Sequence, residues 1–178
     1  KIKKISGSHK NIKIKVPEDI SIDENLLKKE NQDKIEIKAY AKINLDLKIL
    51  GKLPNGYHRI KSVFQAVNLY DTIIISKNKK ESRLTGSIIC PTNSNLIIKA
   101  KNTLEKYVKR KLPCKIHLIK AIPISAGLGG GSSDAAAAII GLDEIYDLGL
   151  SLKELKKLAL EVGSDVPFFI SNFGKKLH

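Results

Sequence analysis

The sequence contains no tryptophan and no methionine, and aromatic residues make up only 5% of its 178 residues. It has no apolar run near the roughly 18 residues that a membrane-spanning helix needs. Its two cysteines, Cys90 and Cys114, are isolated, and the four histidines do not pair with them. This pattern gives neither a disulfide framework nor a metal-ligand spacing, and it indicates a reducing compartment. We therefore expect no metal site made by the protein alone.

Because the chain has no methionine and begins at Lys1, we expect it to be a processed product or an excised fragment. Residues 1–34 are polar and rich in lysine, with a weak strand signal at 12–16, and we interpret them as a leader or tail. Such a segment can remain from an organelle-targeting sequence, although it lacks the arginine typical of one. We expect the protein to lie in a plastid, or in the cytoplasm if it is bacterial.

Arginine is also scarce, since only 3 of the 32 basic residues are arginine in a chain of net charge +14. Sites that read bases or hold phosphate in a fork favour arginine, and the lysines here are scattered rather than clustered. We therefore predict no nucleic-acid partner, although a basic nucleic-acid-binding module remains an alternative. Steep weakening of binding with salt would reveal it. The positive field would attract anionic nucleotides in either case.

From residue 35 onward, strand and helix patterns are mixed without a repeated β-α-β unit, which predicts one domain of the α+β class. Strands are predicted at 35–41, 43–49, 63–69, 72–76 and 115–119, with a tight turn at Tyr70-Asp71. Helices are predicted at 95–110, 132–148 and 151–161, the last of them with a capping box of Ser151 and Glu154. Residues 163–167 should end that helix, and Phe168, Phe169 and Ile170 should lie in the core.

A glycine-rich loop is the most informative segment. Four glycines within residues 127–131 precede Ser132, Ser133, Asp134 and a run of alanines, which favour a helix and its first turn. Such a loop exposes N–H groups at a helix N-terminus, where a phosphate binds well. The segment is neither a P-loop nor a Gly-x-Gly-x-x-Gly dinucleotide motif. The alternative is a flexible loop that only caps the helix.

The pattern Pro123-x-x-x-Gly-Leu-Gly-Gly-Gly-Ser-Ser-Asp-Ala-Ala resembles the ATP loop of the GHMP kinases, named for galactose, homoserine, mevalonate and phosphomevalonate kinases. Other segments resemble the branch that uses ATP to phosphorylate the 2-hydroxyl of 4-diphosphocytidyl-2-C-methyl-D-erythritol, in non-mevalonate isoprenoid biosynthesis. These segments are residues 39–45, Gly56-Tyr57-His58, Phe64-Gln65, Asp71-Thr72-Ile73 and 163–168. The resemblance implies a GHMP kinase N-terminal domain at 35–178, with a fold like that of a ribosomal protein domain. In the family, a second α+β half follows.

The resemblance implies that Lys42 and Asp165 are catalytic. Asp165 would accept the proton of the alcohol, and Lys42 would hold Asp165 ionised and stabilise charge on the transferred phosphoryl group. Asn44 lies on the same strand face as Lys42 and would orient Lys42 or the acceptor. The alternatives are a solvent-facing strand lysine, a satisfied amide at a strand end, and an aspartate that bonds local N–H groups in a turn.

The resemblance further implies that Tyr57 stacks on the cytosine of the acceptor and that His58 bonds its edge, although Tyr57 could simply cover the edge of the core. Asn95 and Leu96 would help form the adenine pocket, or Leu96 could be a core residue. Mg²⁺ should accompany the ATP, and serine hydroxyls of the loop can contact the phosphates or the ion. The implied ATP-binding loop residues are Pro123, Ile124, Ser125, Ala126, Gly127, Leu128, Gly129, Gly130, Gly131, Ser132 and Ser133.

A homoserine or mevalonate-type kinase is the other enzyme that the loop allows. The Gly56-Tyr57-His58 segment argues against those two, because in the resembling branch it serves a cytosine.

Overall fold

The computed structural model describes residues 34–52, 58–87 and 94–173. Within these residues, four strands form one sheet in the order β1-β2-β4-β3. β1 pairs with β2 and β2 with β4 in antiparallel fashion, whereas β3 and β4 are parallel, so the sheet is mixed. The strands are β1 (Lys34–Lys52), β2 (His58–Lys77), β3 (Arg83–Gly86) and β4 (Cys114–Ile119). The predicted strand signal at 12–16 lies outside the described residues.

β1 and β2 are each one long strand, where the sequence predicted two shorter ones. In β1 the register shifts between Tyr40 and Ala41 and again between Asn44 and Asp46, and the strand continues through both irregularities. The tight turn predicted at Tyr70-Asp71 is wrong, because both residues lie inside β2. Asp71 is fully buried there and accepts backbone N–H groups from another segment, a tertiary contact that offsets its poor strand propensity.

Four helices complete the described fold: α1 (Leu96–Val108), α2 (Gly130–Tyr146), α3 (Leu152–Val162) and α4 (Val166–Phe173). The three predicted helices are confirmed, and so is the capping box of Ser151 and Glu154. α2 begins two residues earlier than predicted, because Gly130 and Gly131 join its first turn. α4 and the four-residue strand β3 were not predicted. Among the described helices, none is long and apolar enough to cross a membrane.

The central helix α2 contacts β1, β2 and each of the other three helices. Its four consecutive alanines, 135–138, are fully buried, as expected for a helix surrounded by other elements. Phe169 and Ile170 of α4 are buried, as predicted, whereas Phe168 is half-buried. This packing brings the middle of β1, the turn between α3 and α4, and the glycine loop together at the N-terminal end of α2.

Candidate active site

The glycine loop ends at Gly129, which is the N-cap of α2 and has no side chain to satisfy the first N–H groups of the helix. Gly129 has a positive φ of 71°, and a Cβ there would lie 2.9 Å from the Phe169 ring and 3.0 Å from Cγ of Lys42. Both its conformation and its surroundings therefore require glycine. The unsatisfied N–H groups at the start of α2 suit an anionic ligand.

A cavity of about 440 Å³ lies beside this loop. It is lined by all of the predicted loop residues from Pro123 to Ser132, and by Asn95 and Leu96. Ser133 is different, because its side chain is fully buried and is not part of the lining. The structure thus brings twelve of the thirteen predicted ATP-binding residues to one cavity, and a phosphate contact by Ser133 stays a prediction.

Asn95 has a second task besides lining the cavity. It is the N-cap of α1, and its Oδ1 accepts the N–H of Ile97 at 2.9 Å. The side chain is 6% exposed, so most of its surface is already in contact with the protein. Its neighbour Ile97 is a core residue, whereas Leu96 is partly buried against the core and also lines the cavity.

Lys42 is buried, with 6% of its side chain exposed, and so it is not a solvent-facing strand lysine. Its Nζ donates to Oδ1 of Asn44 at 2.7 Å and lies 4.5 Å from the centre of the Phe64 ring. Its backbone N–H donates to the carbonyl of Leu128 in the glycine loop at 2.9 Å. Lys42 is therefore fixed by Asn44 and Phe64 in β1 and β2 and is bonded directly to the loop.

Asp165 lies in the turn between α3 and α4, and its Oδ2 is 3.5 Å from Nζ of Lys42. Its side chain is 36% exposed, which leaves room for a ligand. The backbone carbonyl of Asp165 accepts the N–H of Phe168, and its Oδ1 accepts from the Ser164 hydroxyl at 3.4 Å. Lys42, Asn44 and Asp165 thus form one polar group beside the glycine loop.

Aromatic rings stabilise this arrangement from the apolar side. Phe168 packs edge-on against both Phe64 and Phe169, with ring centres 5.2 and 5.1 Å apart. Phe64 in turn lies under the ammonium group of Lys42, a cation–π contact. β2, α4 and β1 are therefore connected through one cluster, which keeps Lys42 and Asp165 at a defined distance.

A second charged group at the cavity was missed by the sequence analysis. Lys120, directly after β4, donates to Oδ2 of Asp134 at 2.9 Å and also bonds Oδ2 of Asp71. Oδ1 of Asp71 accepts the N–H groups of Ala121 at 2.6 Å and Ile122 at 2.8 Å. We call Asp71, Lys120 and Asp134 the loop clamp. In the sequence, a turn-like Asp71, an isolated lysine and a helix-start aspartate gave no signal of their association.

The loop clamp has two carboxyl groups for one ammonium group, and this balance alters its titration. Burial raises the pKa of Asp134 to about 7, and the Lys120 charge only partly opposes the shift. Burial alone would lower the pKa of Lys120, but its bonds to Asp71 and Asp134 raise it. Within the described residues, Oδ1 of Asp134 has no hydrogen-bond partner. Asp134 and Lys120 both line the cavity, so their charges act on any ligand there.

Tyr57 lies outside the described residues, and for His58 only the backbone, at the start of β2, is described. Their contact with an acceptor stays a prediction. Among the described residues, no cluster of three or more His, Cys, Asp or Glu side chains could hold a metal ion.

A family model described as the GHMP kinases N terminal domain matches residues 95–173, which include the glycine loop, α2 and the Asp165 turn. The chain carries a GHMP kinase N-terminal domain. Solved structures agree with this assignment: a 4-(cytidine 5'-diphospho)-2C-methyl-D-erythritol kinase superposes with a TM-score of 0.66 and 32% identity, over 76% of this chain and 48% of that one. The mevalonate kinase of Methanococcus jannaschii, at 20% identity and a TM-score of 0.57, shares the fold over 78% of this chain and 51% of its own.

Two curated relatives of this GHMP kinase domain are bacterial. The 4-diphosphocytidyl-2-C-methyl-D-erythritol kinase of Chloroherpeton thalassium is 45% identical over 135 residues, 75% of this chain and 47% of the relative. That of Caldanaerobacter subterraneus is 46% identical over 145 residues, 81% of this chain and 50% of the relative. The chain therefore spans about half the length of the curated relatives that it matches. These relatives lend no support to the expected plastid location.

Proposed function

We propose that the protein containing this domain transfers the γ-phosphoryl group of ATP to the 2-hydroxyl of 4-diphosphocytidyl-2-C-methyl-D-erythritol. The observation that supports it most strongly is the pair of Lys42 and Asp165, 3.5 Å apart, beside a glycine loop whose cavity opens at a helix N-terminus. Phosphoryl transfer needs positioning and charge stabilisation more than covalent chemistry, so one base, one cation and a phosphate cradle suffice. The 41–47% identity to kinases of that name supports the choice of acceptor.

In the proposed step, the acceptor hydroxyl oxygen attacks the γ-phosphorus while the bond from that phosphorus to the β,γ-bridging oxygen breaks. The hydroxyl proton moves to the Asp165 carboxylate, and ADP leaves. Asp165 suits this task because it is partly exposed and is held in a short turn. A general base of this kind typically accelerates a reaction by about 10²–10⁴-fold.

Lys42 would act on charge rather than on protons. Its ammonium is nearly excluded from water and is already aligned by Asn44 and Phe64, so it pays little reorganisation when negative charge develops nearby. Asn44 would thus be a positioning residue for Lys42.

ATP would lie in the cavity with its phosphates on the N–H groups of the glycine loop and of the first turn of α2. Mg²⁺ binds nucleotide phosphates with few protein ligands, so the ATP phosphates would hold most of its coordination sphere. Ser132 lines the cavity, and its hydroxyl can add an oxygen to the ion or to a phosphate. The ion would neutralise charge on the transferred group.

The direct test is phosphorus NMR of ATP with 4-diphosphocytidyl-2-C-methyl-D-erythritol and the full-length protein. A new phosphomonoester signal, with ADP released in equal amount, is the expected result. If homoserine or mevalonate accepted phosphate instead, the acceptor assignment would be wrong while the kinase assignment would stand. Absence of transfer to any of these alcohols by a folded, nucleotide-binding protein would contradict the proposal.

The acceptor side has its own test in Tyr57. If Tyr57 stacks on cytosine, Tyr57→Ala removes an interaction that is worth about 1–3 kcal/mol per base in nucleic-acid systems. The KM for the acceptor should then rise, with the KM for ATP unchanged. Steady-state kinetics with each substrate varied in turn would show it, and an equal rise in both KM values would argue against the assignment.

A further inference from the structure

We propose that the loop clamp of Asp71, Lys120 and Asp134 is a positioning device that joins the two ends of the glycine loop and so holds the loop in its nucleotide-binding conformation. This inference rests on the proposed function, in that it takes the cavity beside the loop to be the nucleotide site. It assigns to two buried aspartates and a mostly buried lysine a role in nucleotide binding, through the conformation of the loop.

The clamp reaches the start of the loop through Asp71. One oxygen of this carboxylate accepts the N–H groups of both Ala121 and Ile122, the two residues directly before Pro123. Asp71 is fully buried inside β2, so its own position is fixed by the sheet. The backbone that enters the loop is thereby attached to a rigid element.

The clamp reaches the end of the loop through Lys120 and Asp134. Asp134 lies in α2 shortly after the loop, and its Oδ2 accepts from Nζ of Lys120 at 2.9 Å. The same ammonium bonds Asp71, so a single cation connects the sheet, the strand end and the helix. A Cβ on Gly130 would lie only 3.1 Å from Nζ, which shows how closely the first turn of α2 approaches the ammonium.

Holding both ends of the loop has a direct consequence for affinity. A loop that binds phosphate through backbone N–H groups must present them in one geometry, and ordering a free loop on binding costs affinity. Seven residues, 123–129, separate Ile122 from the first residue of α2, and they include positive φ angles at Ser125, Gly127 and Gly129. A clamp across such a segment reduces the conformations that it can adopt before the nucleotide arrives.

A mostly buried lysine between two carboxylates could instead serve stability alone, and the test must separate the two roles. The chain offers a matched control in Lys101, a buried lysine of α1 that bonds the buried Glu105 at 2.8 Å. Lys101 and Glu105 are not part of the cavity lining. Lys120→Met and Lys101→Met therefore remove the same charge from two acid–lysine clusters, of which only one touches the loop.

The experiment is a titration of ADP into the full-length protein, with thermal unfolding measured alongside. We expect Lys120→Met to weaken ADP binding by about tenfold or more, equivalent to at least about 1.4 kcal/mol, whereas Lys101→Met lowers Tm without changing the Kd for ADP. Lys120→Arg should restore much of the affinity, because it keeps a cation between the carboxylates. In the kinase assay, the KM for ATP should rise in Lys120→Met and the KM for the acceptor should not.

Asp71→Asn keeps the test valid if Lys120→Met does not fold. An asparagine retains an oxygen for the Ala121 and Ile122 N–H groups but loses the acceptor for Lys120, so it opens the clamp at one link only. A weaker affinity for ADP in folded Asp71→Asn is expected, and an unchanged Kd in either folded variant would overturn the proposal. So would equal losses of affinity in Lys120→Met and Lys101→Met. If the unaltered protein binds ADP but does not phosphorylate the acceptor, the proposed reaction fails and the clamp is still tested.

Discussion

An acid–lysine cluster lies near each end of strand β4, and the two clusters differ in their charge balance. After β4, the loop clamp has two acids and one cation. Before β4, Glu105 accepts from Lys101 at 2.8 Å, from the Leu112 N–H at 2.7 Å and from Lys111 at 3.5 Å, which is one acid with two cations. We call Lys101, Glu105 and Lys111 the Glu105 cluster.

The opposite balances have opposite consequences for the carboxyl groups. Burial alone would raise the pKa of Glu105, but the Leu112 N–H and the two lysines lower it, so this group stays ionised and structural. Asp134 shares the single ammonium of Lys120 with Asp71, and burial raises the pKa of Asp134 to about 7. A surplus of buried negative charge costs stability, and it occurs at the cavity rather than at the other end of the strand.

The largest expected effect is a loss of activity on substitution beside the loop, with no such loss in the Glu105 cluster. Asp165→Asn keeps the size of the side chain but removes the proposed base, so kcat should fall by about 10²–10⁴-fold while ADP still binds. Glu105→Gln, the matched change in the other cluster, should leave kcat unaltered. The measurement is steady-state kinetics of both variants, and turnover of Asp165→Asn near that of the unaltered protein would remove Asp165 from the mechanism.

For stability, we expect the larger loss on substitution in the Glu105 cluster. Glu105→Ala leaves Lys101 buried without its carboxylate and the Leu112 N–H without its acceptor, a kind of change that costs about 3–5 kcal/mol. Urea unfolding should show this loss in the free energy of unfolding. The ADP affinity of the remaining folded protein should not change. A loss below about 1 kcal/mol, the range of exposed pairs, would mean that the Glu105 cluster is not structural.

The raised pKa of Asp134 predicts a pH dependence that Asp134→Asn should abolish. In the unfolded chain, aspartate titrates near pH 3.9, whereas in the folded protein Asp134 titrates near 7. Between these values the folded state binds more protons, so this group makes the free energy of unfolding fall as pH rises. The other charged groups of the clamp are Lys120 and Asp71, and both are present in the variant.

Urea unfolding of both proteins at several pH values measures this effect. The stability of Asp134→Asn relative to the unaltered protein should increase from about pH 4 to about pH 7 and then level off. Parallel stability curves over that range would contradict a raised pKa at Asp134.

The smallest effect is expected at the outer lysine of the Glu105 cluster. Lys111 is 89% exposed, and its 3.5 Å contact with Glu105 is therefore screened by water. Lys111→Ala should change the free energy of unfolding by no more than about 1 kcal/mol. Lys120, the corresponding cation of the loop clamp, is only 14% exposed, and a similarly small effect of its removal on both stability and ADP binding would make the two clusters alike.

Local patterns in the sequence predicted the α+β class, the three longer helices and the capping box of α3, because caps and helical periodicity depend on near neighbours. They failed at Asp71, where a residue typical of turns is buried in a strand by bonds to Ala121 and Ile122. Fifty residues separate Asp71 from Ala121, and no local pattern carries such a contact.

Local sequence patterns likewise predicted some parts of the candidate site and not others. The glycine loop was evident from composition, because a run of glycines before a helix has a direct physical meaning. Lys42 and Asp165 were predicted to be catalytic only through the resemblance to the GHMP kinases, since a strand lysine and a turn aspartate are common. The loop clamp depends on three distant segments, and it could not be predicted from any one of them.

A crystal structure of the full-length protein with ADP bound is the most direct test of the proposed nucleotide site. We expect the phosphates of ADP on the N–H groups of the glycine loop and the first turn of α2, with Asp71, Lys120 and Asp134 still bonded as a clamp. ADP bound elsewhere, for example beside the Glu105 cluster, or a glycine loop that does not touch the phosphates, would contradict it.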